Sequence, residues 1–274
     1  MLRRLPSVLL LCILATSAAA QVPVSVFVSV PPQAYLLRRI GGDHIKVSVM
    51  LAPGQAPETF DPTPRQVREL AGARLYFLAG VPFEAAWKET LKKANPDLQV
   101  IPCCGDEDAG PTDSPDPHYW TSPVNAMHMA RTMFAYLVQV DPQGRPDYRA
   151  NLEHLLGDLQ ELDNYIRNKL LQRRTDVFIT AHAAWGWLAQ TYGLEEMALE
   201  KNGREIGPRG LAALLQVARR EEIHTVFVQA QFHTPVVDAL ARQINAKLVN
   251  LDPLAGDYIA NMTTVADRIA EAVQ

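Results

Sequence analysis

The fold of this chain is decided by residues 147–174, which read DYRANLEHLLGDLQELDNYIRNKLLQRR. Apolar side chains recur in this segment with the spacing of a helix, and no proline interrupts it. The recurring positions are Leu152, Leu155, Leu156, Leu159, Leu162, Ile166 and Leu170. At 1.5 Å per residue, roughly 25 helical residues reach about 40 Å, which is enough to cross a whole protein of this size. The segment therefore predicts one long helix.

Short apolar runs rich in β-branched residues lie on both sides of this helix. They are residues 24–30, 47–51, 75–79 and 100–102 before it, and residues 177–180, 225–229 and 247–251 after it. Helical patterns separate the runs, which is typical of parallel strands in βα units. We predict an α/β fold in which two parallel-sheet lobes, residues 21–146 and 175–274, are joined by a rigid backbone helix at 147–174. An ordinary long surface helix is the alternative.

The first 20 residues have the pattern of a secretory signal peptide. Residues 3–4 are arginines, residues 9–14 are apolar, and residues 18–20 are alanines that suit a cleavage site. The apolar run is shorter than the about 20 residues that span a bilayer, so we expect a soluble product that begins near Gln21. Cys12 lacks the small preceding residue of a lipid-modified cysteine, which favours free export into the periplasm.

Charge and cysteine content exclude several classes of protein. Removing residues 1–20 takes away two arginines and no acid, which leaves 24 basic against 30 acidic residues and a net charge of −6. With this charge, no nucleic-acid partner is expected. Beyond Cys12 the only cysteines are the adjacent Cys103 and Cys104, so a long-range internal disulfide is excluded. A vicinal bridge and two free thiols both stay open for this pair.

Four ionisable side chains follow predicted strands, two in each predicted lobe: Glu58, His118, His182 and Asp252. In open α/β sheets, ligands bind where loops leave the carboxyl ends of the strands. Two imidazoles and two carboxylates at that edge would form a four-ligand site for a divalent transition metal. Taken singly, each residue is equally well explained as a helix cap, a turn residue or a packed side chain.

The motif Asp116-Pro117-His118-Tyr119-Trp120 strengthens the case for one of these ligands. Proline fixes its own φ and restricts the residue before it, so the imidazole of His118 leaves the chain in a limited range of directions. That restriction suits a metal ligand.

Other side chains are weaker candidates for the same site. His233 follows the run 225–229 and is an alternative imidazole ligand. Asp61, Glu84 and Gln231 are candidates for a substitute oxygen ligand, or for a hydrogen bond that orients an imidazole.

Five segments together point to a known family. They are PETFDPTPRQV at 57–67, GVPFE at 80–84, DPHYWTSP at 116–123, HAAWG at 182–186 and LDPL at 251–254. Over essentially all of residues 22–274, the chain resembles the zinc/manganese-specific solute-binding proteins of bacterial metal ABC importers, the cluster A-I metal-binding family. The resemblance implies two α/β lobes joined by a long backbone helix, a metal ion held in the cleft, and an ABC permease in the inner membrane as partner.

The resemblance also implies which residues bind the metal. The ligand positions of the family fall on His118, His182 and Asp252, whereas Glu58 stands where the family commonly has histidine. The fourth ligand is therefore open between Glu58, Asp61 and water. A carboxylate at position 58 favours Mn²⁺ or Fe²⁺, but histidine at position 182 resembles the zinc branch of the family.

We expect zinc as the transported ion, because two imidazoles and two oxygens suit a tetrahedral zinc site. We expect a monomeric binding protein without enzymatic activity. The alternative is an exported zinc-dependent hydrolase in which Glu58 acts as general base beside His118, His182 and Asp252.

Overall fold

The computed structural model describes residues 22–52, 54–103, 116–201 and 203–274. The predicted signal peptide, Cys104 and most of the loop before the 116–120 motif lie outside the described residues.

The first lobe is built on a parallel sheet of four strands. They are β1 (Val24–Val28), β2 (Ile45–Val49), β3 (Leu75–Leu78) and β4 (Gln99–Pro102), in the spatial order β2-β1-β3-β4. Its helices are α1 (Pro31–Gly41), α2 (Pro64–Leu70), α3 (Pro82–Ala94) and α4 (Pro123–Val140). Each of these helices has a proline in its first turn, where the missing N–H removes no helical hydrogen bond. Because all pairings are parallel, the carboxyl ends of the strands share one edge.

The predicted long helix is α5 (Arg145–Lys169). It begins two residues before the predicted start, and its α-helical hydrogen bonding ends five residues before the predicted end. Beyond the helix, the backbone N–H groups of Arg174 and Thr175 both donate to Val273 O, at 2.8 and 3.2 Å, so this stretch does not continue as helix. The buried face of α5 packs against α1 and α4.

The second lobe contains a sheet of five strands in the order β7-β6-β5-β8-β9. The strands are β5 (Val177–His182), β6 (Glu195–Lys201), β7 (Arg204–Glu205), β8 (Thr225–Val228) and β9 (Lys247–Asn250). The helices are α6 (Gly186–Tyr192), α7 (Pro208–Arg220), α8 (Pro235–Gln243) and α9 (Tyr258–Val273), of which α9 packs against α5. Only β7 is antiparallel to its neighbour. The predicted fold class is confirmed, and the lobe boundaries stay a prediction.

Sequence patterns missed β6 and β7. The seven residues of β6 read EEMALEK and carry three glutamates and a lysine, so no apolar run marks the strand. β6 nevertheless lies inside the sheet, beside the fully buried β5. Two of its glutamates are hydrogen-bond acceptors there: Glu196 accepts from Thr180 Oγ1 and from the backbone N–H groups of Ala184 and Trp185, and Glu200 accepts from His182 Nδ1.

A continuous apolar core runs from the first sheet through α5 to α9, and it includes Phe178 and Phe227 of the second sheet. A smaller cluster packs β5 and β8 against α7 and α8. Within the described ranges, no helix combines the length and apolar character that a bilayer crossing requires.

Candidate metal centre

Three of the four predicted ligands meet between the lobes. Donor atoms of Glu58, His118 and His182 all lie within 4.8 Å of one another. Glu58 Oε1 lies 3.3 Å from His182 Nε2 and 4.0 Å from His118 Nε2. Glu58 and His118 come from loops of the first lobe, whereas His182 ends β5 in the second lobe. In the described part of the chain, this is the only group of three or more side chains with metal-ligand spacing.

The loop that carries Glu58 is tied at both ends. Ala52 N donates to Gln55 Oε1 at 2.8 Å near its start. At its end, Thr63 and Gln66 form a capping box at the start of α2, which satisfies free N–H groups of the first turn. Gln66 Nε2 also donates to Met50 O at 2.5 Å, so α2 is joined to the chain that leaves β2. The glutamate is thus held in a short, closed loop.

His118 is oriented by the aspartate of its own motif. Asp116 Oδ1 accepts hydrogen bonds from His118 N at 3.0 Å and from His118 Nδ1 at 2.8 Å. Since a carboxylate only accepts, the proton of the neutral ring lies on Nδ1 and the lone pair lies on Nε2. The edge of the Trp120 ring packs against the imidazole at a centroid distance of 5.4 Å. The nitrogen that can bind a metal therefore faces Glu58.

His182 is oriented in the same way by a residue of β6. Its Nδ1 donates to Glu200 Oε2, and the two residues are register partners across β5 and β6. The Phe232 ring stacks on the imidazole at 3.9 Å between centroids and 6° between planes. A carboxylate at Nδ1 and an aromatic ring on one face fix the tautomer and the direction of Nε2, as second contacts of metal-binding histidines commonly do.

Glu58 Oε2 and His182 Nε2 are buried without a hydrogen-bond partner. Buried polar atoms in proteins are nearly always paired, so two such atoms in one cluster require an explanation. A divalent cation between them would accept a lone pair from each. The donor set of this centre therefore fits a metal ion as bound cargo.

The ionisation of the site follows from its charges. Burial alone would raise the pKa of Glu58, but His182 and His118 outweigh it and the pKa lies below its ordinary value. Burial alone would lower the pKa of His182, but the carboxylates of Glu58 and Glu200 outweigh it and the pKa is raised. A metal ion and a proton compete for His182 Nε2, so metal binding depends on pH.

Asp252 does not belong to the three-residue group. Its Oδ1 accepts a hydrogen bond from Leu254 N at 2.9 Å, and its backbone oxygen accepts one from Asn261 Nδ2 at 2.7 Å. Its loop is nevertheless anchored next to the His118 motif, because Trp120 Nε1 donates to Pro253 O at 2.7 Å. The assignment of Asp252 as a ligand stays a prediction.

The weaker candidates lie outside the group as well. Asp61 is exposed and accepts a hydrogen bond from Trp87 Nε1 at 2.8 Å. His233 pairs with Asp238 at 2.7 Å, and Gln231 is exposed. Glu84 is buried, but its carboxylate accepts hydrogen bonds from the backbone N–H groups of Ala79 and Gly80, which lie between β3 and α3.

The remaining cysteine of the described chain also has no place in the cluster. Cys103 is a buried free thiol, and burial raises its pKa. Cys104, the other member of the pair, lies outside the described residues.

Sequence reasoning missed Glu200, and it quoted Asp116 without giving it a role. The signal for Asp116 was available in its spacing of two residues before His118, which permits a side-chain hydrogen bond back to the imidazole. The role of Glu200 depends on the pairing of β6 with β5, for which no local pattern exists.

Comparisons with known proteins give matches both in sequence and in structure. The model of the family described as "Zinc-uptake complex component A periplasmic" matches residues 26–272. A crystal structure of a zinc-bound ZnuA deletion mutant is 34% identical, has a TM-score of 0.86, and covers 92% of this chain and 98% of its own.

Two curated relatives bear the names of different metals. The high-affinity zinc uptake system protein ZnuA of Bacillus subtilis is 25% identical over 245 residues, which are 82% of this chain and 76% of that protein. The manganese-binding lipoprotein MntA of Halalkalibacterium halodurans is 26% identical over 201 residues, which are 71% of this chain and 67% of that protein.

Proposed function

Because the chain belongs to the periplasmic zinc-uptake complex component A family, whose members are metal-binding solute-binding proteins and not enzymes, we propose that it captures zinc in the periplasm and delivers it to an ABC permease. Membership confirms the predicted resemblance and the predicted absence of enzymatic activity. The proposal also includes that the metal is zinc, that the mature protein is exported, and that it is a monomer that delivers the metal.

One observation carries the proposal: Glu58, His118 and His182 present their donor atoms to one point from both lobes. Both imidazoles are held at Nδ1 by a carboxylate, so both Nε2 atoms face the same space. Two nitrogen donors and one oxygen donor match the ligand types of zinc, and Asp252 is the proposed fourth ligand.

Zinc is favoured over manganese and iron by the two imidazoles. For a site of given N and O donors, affinity rises from Mn²⁺ through Fe²⁺ toward the later metals, and Zn²⁺ lies above both. Glu58 acts in the opposite direction, because carboxylates suit Mn²⁺ better than imidazoles do. One relative is named for zinc and the other for manganese, which supports a divalent metal ion as the ligand. Titration must decide between the two metals.

Release to a permease requires the donors to separate. The two lobes are joined near the site by hydrogen bonds from Trp187 Nε1 to Asp116 O at 3.0 Å and from Tyr258 Oη to Trp120 O at 2.7 Å. Both contacts hold the His118 motif against the second lobe. We infer that docking on the permease displaces loops at this junction, so that the first-lobe donors leave His182.

The hydrolase alternative finds no support in the site. Glu58 Oε1 lies 3.3 Å from His182 Nε2. Glu58 therefore stands where a metal ligand would stand, and a general base would have to lie farther from the imidazole. The family to which the chain belongs also consists of metal-binding transport proteins and not of enzymes.

Metal titration of the mature, metal-free protein tests the proposal. Zinc, manganese and iron(II) are titrated in competition with a chelator of known affinity, and we expect one equivalent of zinc to bind most tightly. Binding of none of the three ions would refute the proposal. Amino-terminal sequencing of the exported protein is expected to begin near Gln21, and size-exclusion chromatography is expected to give a monomer.

A further inference from the structure

Gln229 carries a buried donor that has no hydrogen-bond partner. Its side chain is 6% exposed, and Nε2 is one of three such buried orphan atoms among the described residues. The other two, Glu58 Oε2 and His182 Nε2, belong to the metal centre. An amide that is buried without a partner destabilises the folded protein, so its retention points to a partner that is absent from the metal-free arrangement.

The sheet places Gln229 next to His182. The parallel register aligns Ile179 with Val226 and Thr180 with Phe227. Gln229 has extended backbone angles, φ −114° and ψ 145°, so the alternation of the strand continues through it. Two residues beyond the last aligned pair, Gln229 falls beside His182 on the same face of the sheet, and neighbouring strands are about 4.8 Å apart.

The loop after Gln229 independently supports this position. Phe232 N donates to Gln229 O at 3.0 Å, which closes a tight turn. Phe232 at the end of that turn stacks on the ring of His182. The turn therefore keeps the glutamine at the edge of the metal centre.

The orphan atoms of Gln229 and Glu58 are chemically complementary. Glu58 Oε1 faces the two imidazoles, and the unpaired Oε2 can only accept a hydrogen bond. We propose that Gln229 is a positioning residue of the metal centre, whose Nε2 donates to Glu58 Oε2 when metal is bound, so that Glu58 coordinates through Oε1 alone. This inference rests on the proposed metal-binding function.

Single-oxygen coordination by Glu58 has a consequence for metal choice. Zinc sites in proteins are mostly four-coordinate and tetrahedral, whereas Mn²⁺ prefers more oxygen donors in octahedral geometry. A glutamate that is free to use both oxygens adds a donor and favours manganese. Gln229 thus makes the centre more selective for zinc.

The substitution Gln229→Met tests this role, because it keeps the length of the side chain and removes the donor. We expect zinc affinity to fall roughly tenfold, as for other residues that orient metal ligands, and manganese affinity to stay level or rise. Gln231→Met is the matched control, since Gln231 is an exposed glutamine two residues away. Both affinities of the control are expected to equal those of the wild-type protein.

Two further measurements separate positioning from a general structural effect. In the Glu58→Ala background, Gln229→Met is expected to cause no additional loss of zinc affinity. The visible absorption of the Co²⁺-loaded protein is expected to weaken in Gln229→Met, because a higher coordination number lowers the intensity of these bands. Thermal unfolding of the metal-free variants verifies folding, and Gln229→Leu removes the same donor with a different apolar side chain.

An unchanged zinc-to-manganese affinity ratio in Gln229→Met and Gln229→Leu would overturn the inference. A tenfold loss that persists in the Glu58→Ala background would also overturn it, because the partner would then not be Glu58. If the wild-type protein binds zinc in the same titration, either result leaves the proposed function standing. If the wild-type protein binds no metal, both fail.

Discussion

Glu200 accepts a hydrogen bond from His182 Nδ1, on the opposite side of the imidazole from Glu58. Asp116 makes the same contact with His118 at 2.8 Å. Both rings are therefore held in the tautomer that presents Nε2 to Glu58, before any metal arrives. The centre is preorganised by carboxylates that do not themselves lie in the group of donors.

Replacing Glu200 by alanine is expected to weaken zinc binding. The imidazole of His182 loses the contact that fixes its tautomer and direction, and such losses typically cost about 10–100-fold in metal affinity. Chelator competition with the metal-free protein measures the change. Glu205→Ala is the control, because Glu205 is exposed and lies opposite Glu200 in the β6–β7 hairpin. Equal affinities of the two variants would contradict the orienting role of Glu200.

Glu58→His tests how the carboxylate influences metal choice. A third imidazole replaces a hard oxygen donor, so the preference for zinc over manganese is expected to increase. The ratio of the two affinities, determined by titration, is the measurement. Asp61→His serves as the control, since Asp61 is exposed and bound to the Trp87 indole. A rise in the ratio for the control alone would identify Asp61 as the relevant ligand.

Trp120→Phe tests the junction between the His118 motif and the loop that carries Asp252. The substitution leaves Pro253 O without its buried donor, which we expect to cost about 1–3 kcal/mol of unfolding free energy. Zinc affinity is expected to fall as well, because Asp252 precedes the released carbonyl. Urea unfolding and chelator competition provide the two measurements.

Trp87→Phe is the matched control for Trp120→Phe. Its half-buried indole also donates one hydrogen bond, to Asp61 at 2.8 Å, but this acceptor is exposed, so water can replace the lost donor. We expect the lost hydrogen bond itself to change the unfolding free energy by no more than about 0.5 kcal/mol. Loss of stability in Trp120→Phe without loss of zinc affinity would argue against Asp252 as a ligand.

The buried carboxyl group of Glu84 makes the free energy of unfolding depend on pH. Burial raises the pKa of Glu84 from 4.5 to about 7, despite the backbone hydrogen bonds that favour its charged form. The folded state therefore holds this proton more tightly than the unfolded state does. Its contribution to stability is present below pH 4.5 and is lost as the pH rises toward 7, on the order of 3 kcal/mol in total.

Glu84→Gln is expected to remove this pH dependence. Unfolding free energies of the metal-free protein, measured by urea at pH 5 and pH 8, are compared between wild-type protein and variant. Glu89→Gln provides the control, since Glu89 is exposed on the same helix. A decrease between pH 5 and pH 8 that is equal in all three proteins would contradict the role of Glu84.

Most of the architecture followed from local patterns. The long helix was predicted within two residues at its start, because the apolar side chains of its buried face repeat at helical spacing. Its end was predicted too late, since the pattern continues to Leu170 while Arg174 turns to bond with Val273 O. That contact joins residues about 100 positions apart, and no local pattern reports it.

The sequence by itself determined the α/β order and the joining helix, because strand and helix periodicity are local properties of the chain. It also named Glu58, His118 and His182 as candidate donors, but it left Asp61 open beside Glu58. Only the tertiary structure decided that Glu200 orients His182 and that β8 brings Gln229 to the same edge of the sheet as His182. Both residues reach the centre through pairing of β5 with strands that are distant in sequence. Sheet pairing of this kind is set by long-range packing. The charged residues of β6 also leave no apolar run from which the strand could be predicted.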